Sequence, residues 1–327
     1  MPVQAFNDAQ AGLGFVVSQT AFIEAKVYDI KFTSIQYDDI LGGENSCIDA
    51  SANPWAKSVT YYSSENFGGA KWMDGNADDV PYGSSERTKY ETQVWTAGRG
   101  YEYGLEEINQ AYMLGIPLES ERVRGAMRAY QEFVDGVALQ GDSAKGFTGL
   151  FNNASVPQAA VATVQSATTW AAKLALASGG PQAVLADVNS AITLVQTQTN
   201  TVQIADTLLL PYSRFNVLAS TQLPNTAMTL LEFIRLNNVY TANTGRPLTI
   251  RSVRGLDTAG AGSTARMVAF RKDPEVLKMH IPMPMRFQPV QIVGIKYRVA
   301  GMFRVGGLDI RLPKEMTYLD GDRKRHV

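Results

Sequence analysis

The sequence predicts an α+β fold, in which helices and strands occupy separate stretches instead of alternating regularly. Three observations lead there. Val123, Met127, Tyr130, Val134 and Val137 recur at steps of four, three, four and three, which is one face of a long helix. Near the C-terminus, Ile295, Tyr297 and Val299 alternate with Lys296 and Arg298, the period of a half-buried strand. Between them no βαβ rhythm and no internal repeat is visible.

Composition bounds the rest. The chain has 327 residues, 45% hydrophobic and 19% charged, enough for a sizeable core. A net charge of −1 gives no whole-chain attraction for nucleic acid or an anionic membrane. Cys47 is the only cysteine, so neither an internal disulfide nor a cysteine metal cluster can form. No basic region precedes the first apolar stretch, and no run approaches a membrane span. The expectation is a soluble, cytosolic protein.

Taken in order, residues 1–54 lack sustained periodicity and are expected to form an N-terminal arm. Residues 55–95 are rich in aromatic and β-branched residues, with Val59–Tyr62 and Tyr90–Trp95 favouring strands. Gly68, Gly69, Gly75, Pro81 and Gly83 lie between them, so the segment reads as a long hairpin. Trp55, Tyr61, Tyr62, Phe67, Trp72, Tyr82, Tyr90 and Trp95 crowd it. A lone hairpin cannot bury that many rings, so they, with Lys71, are expected to contact another subunit. A short helix at 105–113 and a long one at 118–140 are separated by Gly115-Ile116-Pro117. The long helix buries Val123, Met127, Tyr130, Val134 and Val137.

"GDSAKGFTGLFNN" follows at 141–153. A Walker-type loop needs lysine after its last glycine, but Lys145 precedes Gly146, and the loop follows a helix instead of a strand. Gly141, Gly146 and Gly149 are therefore a hinge, with Leu150 and Phe151 placed to pin it to the core. The Ala/Thr/Gln-rich stretch 154–180 reads as a surface segment. Pro181 opens a helix with Val184, Val188, Ile192 and Val195 on one face. Ala205–Leu210 and Arg266–Arg271 read as strands, Ala227–Asn237 as a helix, and Met302–Val305 and Leu308–Leu312 as a closing meander.

Catalytic chemistry has little to work with. His326 lies in the polar tail, and His280, beside Met279 and Ile281, reads as a strand-edge residue without a nucleophile. Asp38-Asp39, Asp78-Asp79 and Glu106-Glu107 are adjacent pairs whose side chains diverge, and Glu106 and Glu107 suit a helix N-terminus. No catalytic residue, metal site or cofactor is expected, and the chain is not expected to be an enzyme.

Several longer stretches carry a resemblance: FGGAKWM (67–73), YEYGLEEINQAYMLGIPLESERVRGAMRAYQEFVDGVALQGD (101–142), GFTGLFN (146–152), MVAFRKDPEVLKMHIPMPMRFQPVQ (267–291) and GGLDIRLPKEMTYLDG (306–321). In this order the chain resembles the major capsid proteins of tailed bacteriophages, whose shell fold is shared with encapsulins. The resemblance implies an extended loop (55–95), a peripheral domain (96–144 and 281–327) with a spine helix, and an axial domain (145–280). It implies self-assembly into hexamers and pentamers of an icosahedral head enclosing double-stranded DNA. The partners implied are other copies of the chain, a portal, scaffolding or decoration proteins, and DNA touched non-specifically, with no membrane. The place implied is the virion, assembled in the host bacterial cytoplasm. Lys57 or Lys71 could serve a lysine–asparagine cross-link known among relatives, but no motif marks its partners, so none is expected. An encapsulin-type shell is the alternative; a small-molecule enzyme or another virion part is less favoured.

Overall fold

The computed structural model describes residues 34–70, 72, 83–114, 118–176, 178–224 and 226–322. At its centre is a five-stranded sheet in the order Thr249–Val253, Thr207–Pro211, Ala265–Phe270, Met316–Asp322, Gln158–Ala160. The outer pairs are parallel and the inner two antiparallel. TLLLP and ARMVAF are buried throughout, because both faces of these strands are covered. Strands covered on both faces read as unbroken apolar runs.

The alternation of side chains divides that sheet between two cores. Leu208, Leu210, Met267, Ala269 and Leu319 point into one, under the helix Gly180–Gln198. Leu209, Val268, Phe270 and Tyr318 point into the other, with Tyr130, Val134 and Val137 of the long helix Leu118–Leu139. Each fully buried Leu or Phe contributes roughly 1.5–3 kcal/mol, so the shared sheet is the main joint of the body.

The helix Gly180–Gln198 begins with Pro181, and Val184, Val188, Ile192 and Val195 are all buried. On the long helix the burial is graded: Tyr130, Val134 and Val137 lie inside, while Val123 and Met127 are half-buried. Met127 still packs against the first core. The stretch 154–180 is not the surface segment expected. It supplies the edge strand Gln158–Ala160 and the helix Trp170–Leu174, whose Trp170 and Lys173 are buried. Its low average bulk conceals one large anchor, and Thr169 caps the helix by accepting from the Ala172 N–H.

Packing does not divide the chain at 54 or 281. Residues 34–49 belong to the body: Ile40, Leu41 and Cys47 are buried, and Ile48–Asp49 pairs in parallel with Met279–His280. Asp135 of the long helix accepts from the N–H groups of Gln36 and Tyr37, both at 2.8 Å, and so caps the short helix Tyr37–Leu41 from a distance. The rest of the expected arm, residues 1–33, lies outside the described residues. After 281 the chain again splits. Met283–Phe287, Gly301–Val305 and Trp95–Gly98 form one sheet, and Gln291–Val293, Lys296–Val299 and Tyr101–Gly104 another. Met316–Asp322, by contrast, returns to the five-stranded sheet. Ile295, read as an inward strand residue, sits in the tight turn of the second of these sheets and is exposed.

Candidate assembly surface

Ser58–Phe67 and Ser84–Gln93 pair antiparallel over ten residues each, from Ser58 opposite Gln93 to Phe67 opposite Ser84. Among the described residues this ribbon has no third strand, and nearly the whole of its second strand is exposed. Tyr61 stacks on Tyr90 with ring centres 5.1 Å apart and planes 14° from parallel. That pair does not shelter the other rings. Trp55 and Tyr62 are each 68% exposed, Trp72 is fully exposed, and Tyr90 and Trp95 are about half exposed. Phe67 closes the described end of the ribbon through its backbone pairing; Lys71 and Tyr82 fall outside the described residues, as do Asp78 and Asp79. Trp95 belongs to the next strand, Trp95–Gly98, which pairs with Gly301–Val305.

The ribbon's two feet are tied by one buried arginine. Arg304 donates through Nη1 to the Pro54 carbonyl at 2.8 Å, before the first strand, and through Nε to Thr96 Oγ1 at 3.1 Å, beyond the second. Its Nη2 also reaches the Val94 carbonyl at 3.4 Å, and Val94 N–H donates to the Lys57 carbonyl. The Arg311 guanidinium lies 4.5 Å from the Tyr61 ring centre. Burial, with Asp309 adding to it, pushes the Tyr61 phenol up to about 12. Sequence reasoning missed Arg304 and Arg311; the available signal was an arginine inside the otherwise apolar strand GMFRV.

The glycine turn folds back onto the end of the long helix. Leu150 and Phe151 N–H groups donate to the Ala138 and Leu139 carbonyls at 2.9 and 3.1 Å, and Asn152 Nδ2 donates to the Gln140 carbonyl at 2.7 Å. A helix leaves its last carbonyls unpaired, and here the returning chain supplies the donors. Gly141 has φ +76°, and Gly146 has φ +72° where it ends the short 3-10 turn Ser143–Lys145. Gly149 is required for space: a Cβ there would lie 2.4 Å from the Leu139 carbonyl oxygen. Lys145 points to no phosphate cradle; its Nζ lies 4.2 Å from the Trp95 ring centre, joining the turn to the hairpin foot.

The acidic pairs engage in ordinary structural contacts. Asp39 pairs with Arg251 at 2.9 Å, Glu107 pairs with Arg122, and Glu106 accepts from Gln110. His280 is not at a sheet edge: its strand Leu277–His280 is the middle of three, and the residue is buried. Among the described residues no group of three or more His, Cys, Asp or Glu could hold a metal ion, and no helix is long and apolar enough to cross a membrane.

The subunit is a two-core body that carries an exposed aromatic ribbon and a long helix capped by the glycine turn. The sequence matches the major capsid protein family over residues 68–321, and the chain belongs to that family. It is a structural protein of a capsid. The fold is that of solved phage capsids. It matches the capsid of Myoviridae phage XM1 at TM-score 0.74 and 18% identity, over 93% of this chain and 97% of that one. The capsid of a native GTA particle matches at TM-score 0.62 and 8% identity, over 92% and 94% of the two chains. Mycobacterium phage Ogopogo matches at TM-score 0.56 and 12% identity, over 93% and 97%. No curated protein sequence matches the chain.

Proposed function

We propose that the chain assembles into hexamers and pentamers of an icosahedral head around double-stranded DNA, with the hairpin 58–93 lying on an adjacent subunit. The observation that carries this reading is the exposure of Trp55, Tyr62, Trp72, Tyr90 and Trp95 on and beside a ribbon that has no third strand among the described residues. Large aromatics in water are unfavourable, and buried aromatics anchor interfaces. Arg304 fixes the ribbon's feet to the strand Gly301–Val305, so a pull on the ribbon reaches that sheet of the subunit.

In the same reading the half containing Gly180–Gln198 surrounds the capsomer axis and the long helix runs through the periphery. DNA is met through its phosphates without sequence preference. A portal, and scaffolding or decoration proteins, are the other partners, and assembly takes place in the host cytoplasm. No catalytic step is assigned to the chain.

Electron microscopy of the purified full chain tests assembly, with closed polyhedral shells or capsomer rings expected. Monomers alone under every assembly condition would contradict it. Deleting residues 64–84 is expected to leave a folded subunit that forms no shells; unimpaired shells would remove the ribbon's role.

A further inference from the structure

We propose that the outer edge of the five-stranded sheet takes one more strand, supplied by residues 28–33 of the same chain. The edge strand is Thr249–Val253. It runs parallel to Thr207–Pro211, and its Thr249 N–H donates to the Asp206 carbonyl at 3.0 Å. In a parallel ladder alternate residues face the partner strand, so Ile250 and Ser252 turn their N–H and C=O groups outward. Both residues are half-buried. Among the described residues only the Ser252 carbonyl has a partner on that side, Gln36 Nε2 at 3.2 Å. That leaves the Ile250 N–H, the Ile250 carbonyl and the Ser252 N–H, and backbone groups of a half-buried strand call for partners.

Gln36 shows how this edge is completed. While its Nε2 donates to the Ser252 carbonyl, its Oε1 accepts from the Arg254 N–H at 2.9 Å. A parallel strand makes the same two bonds, to the residues before and after the one it faces. The side-chain amide therefore fills the rung opposite Val253, and the rungs toward Thr249 remain for backbone.

Where the chain enters identifies the occupant. Ser34 and Ile35, the first described residues, line a cleft of about 920 Å³ together with Thr249 and Ile250. Half-buried Phe215 and Leu231 and exposed Glu232 and Arg235 form its other wall. A strand that suits such a cleft alternates apolar with polar side chains and carries both signs of charge. The six residues leading into Ser34 do so: Tyr28, Ile30 and Phe32 alternate with Asp29, Lys31 and Thr33. Six extended residues span about 20 Å, enough to pass the five-residue edge. A segment tethered beside the cleft also binds at a high effective concentration, an advantage that a second copy lacks.

The test introduces Tyr28→Cys, Ile30→Cys or Phe32→Cys, each together with Leu231→Cys, into the full, unassembled chain. Cys47 is buried and does not compete. After oxidation with glutathione disulfide, at least one pair is expected to link within a single chain. That product runs as a monomer on a non-reducing gel, and peptide mass spectrometry locates the bond. No disulfide in any of the three, or links only between two chains, overturns the proposal. If the cysteine variants do not fold, hydrogen exchange decides. Ile30→Asp combined with Phe32→Asp is expected to speed exchange in Thr249–Val253 about fivefold or more, the loss of one net hydrogen bond. Unchanged exchange in that strand overturns the proposal equally.

Discussion

Arg266 and Asp320 face each other on adjacent strands of the five-stranded sheet, joined by two parallel hydrogen bonds of 2.7 Å, Nε to Oδ1 and Nη2 to Oδ2. The same guanidinium donates to the Phe151 carbonyl at 2.5 Å and lies 4.4 Å from the Tyr318 ring centre. One buried ion pair thus fastens the glycine turn to the sheet that separates the two cores.

Removing one partner leaves the other charge buried, which costs about 3–5 kcal/mol. Arg266→Met and Asp320→Leu are each expected to lose that much in urea unfolding of the unassembled subunit. The double variant should lose clearly less than the sum of the two singles. Strictly additive losses would show that the pair does not act as a unit.

The glycines of the turn are expected to differ in their tolerance. At Gly146 the left-handed backbone costs a side chain about 1–2 kcal/mol, less for Asn, because the space around it is open. At Gly149 a side chain collides with the end of the long helix, so Gly149→Ala should cost on the order of 2 kcal/mol or more. Chemical denaturation of the two alanine variants ranks them, and the opposite order would refute the packing argument.

Arg304→Met is expected to leave the body folded while loosening the hairpin's feet. The carbonyls of Pro54 and Val94 lose their donor, a penalty of about 1–3 kcal/mol. Amide exchange at residues 58–63 and 88–93 should accelerate relative to the sheet Thr207–Pro211, and shell yield should fall. Unchanged exchange in the ribbon would show that its feet are held elsewhere.

Alkali should act through Tyr318. Burial pushes its phenol up to about 12, and its hydroxyl donates to the Leu150 carbonyl at 2.8 Å. A raised value in the folded state means the neutral form is favoured there. Its stabilisation is complete below about pH 10, the ordinary phenol value, and is lost as pH rises toward 12. Tyr318→Phe should cost about 1 kcal/mol at pH 8 and reduce the steepness of alkaline unfolding; an unchanged alkaline slope would count against this assignment.

What was legible in the sequence is what depends on near neighbours along the chain. The face Val184, Val188, Ile192 and Val195 follows from the pitch of a helix, and all four are buried. Ala205–Leu210 and Arg266–Arg271 read as strands because they are short apolar runs, and the strands that form are Thr207–Pro211 and Ala265–Phe270. The glycine turn was recognisable as a turn, since the order of its residues excluded phosphate binding. The aromatic crowding at 55–95 could be seen without knowing what surrounds it.

Only the tertiary structure decided which of these pieces meet. Nothing local says that Met316–Asp322 inserts between Ala265–Phe270 and Gln158–Ala160, because a strand's period tells which side chains share a face and not which strand lies beside it. Nothing local says that Asp135 caps a helix 98 residues earlier at Tyr37, or that Arg304 holds Pro54 and Thr96 together. Those bonds join groups whose own sequence neighbours cannot satisfy them, so their partners are chosen by burial: each donor or acceptor taken out of water pairs with whatever the folded chain brings within reach. The periods were written in the sequence, and the joints came from closing the cores.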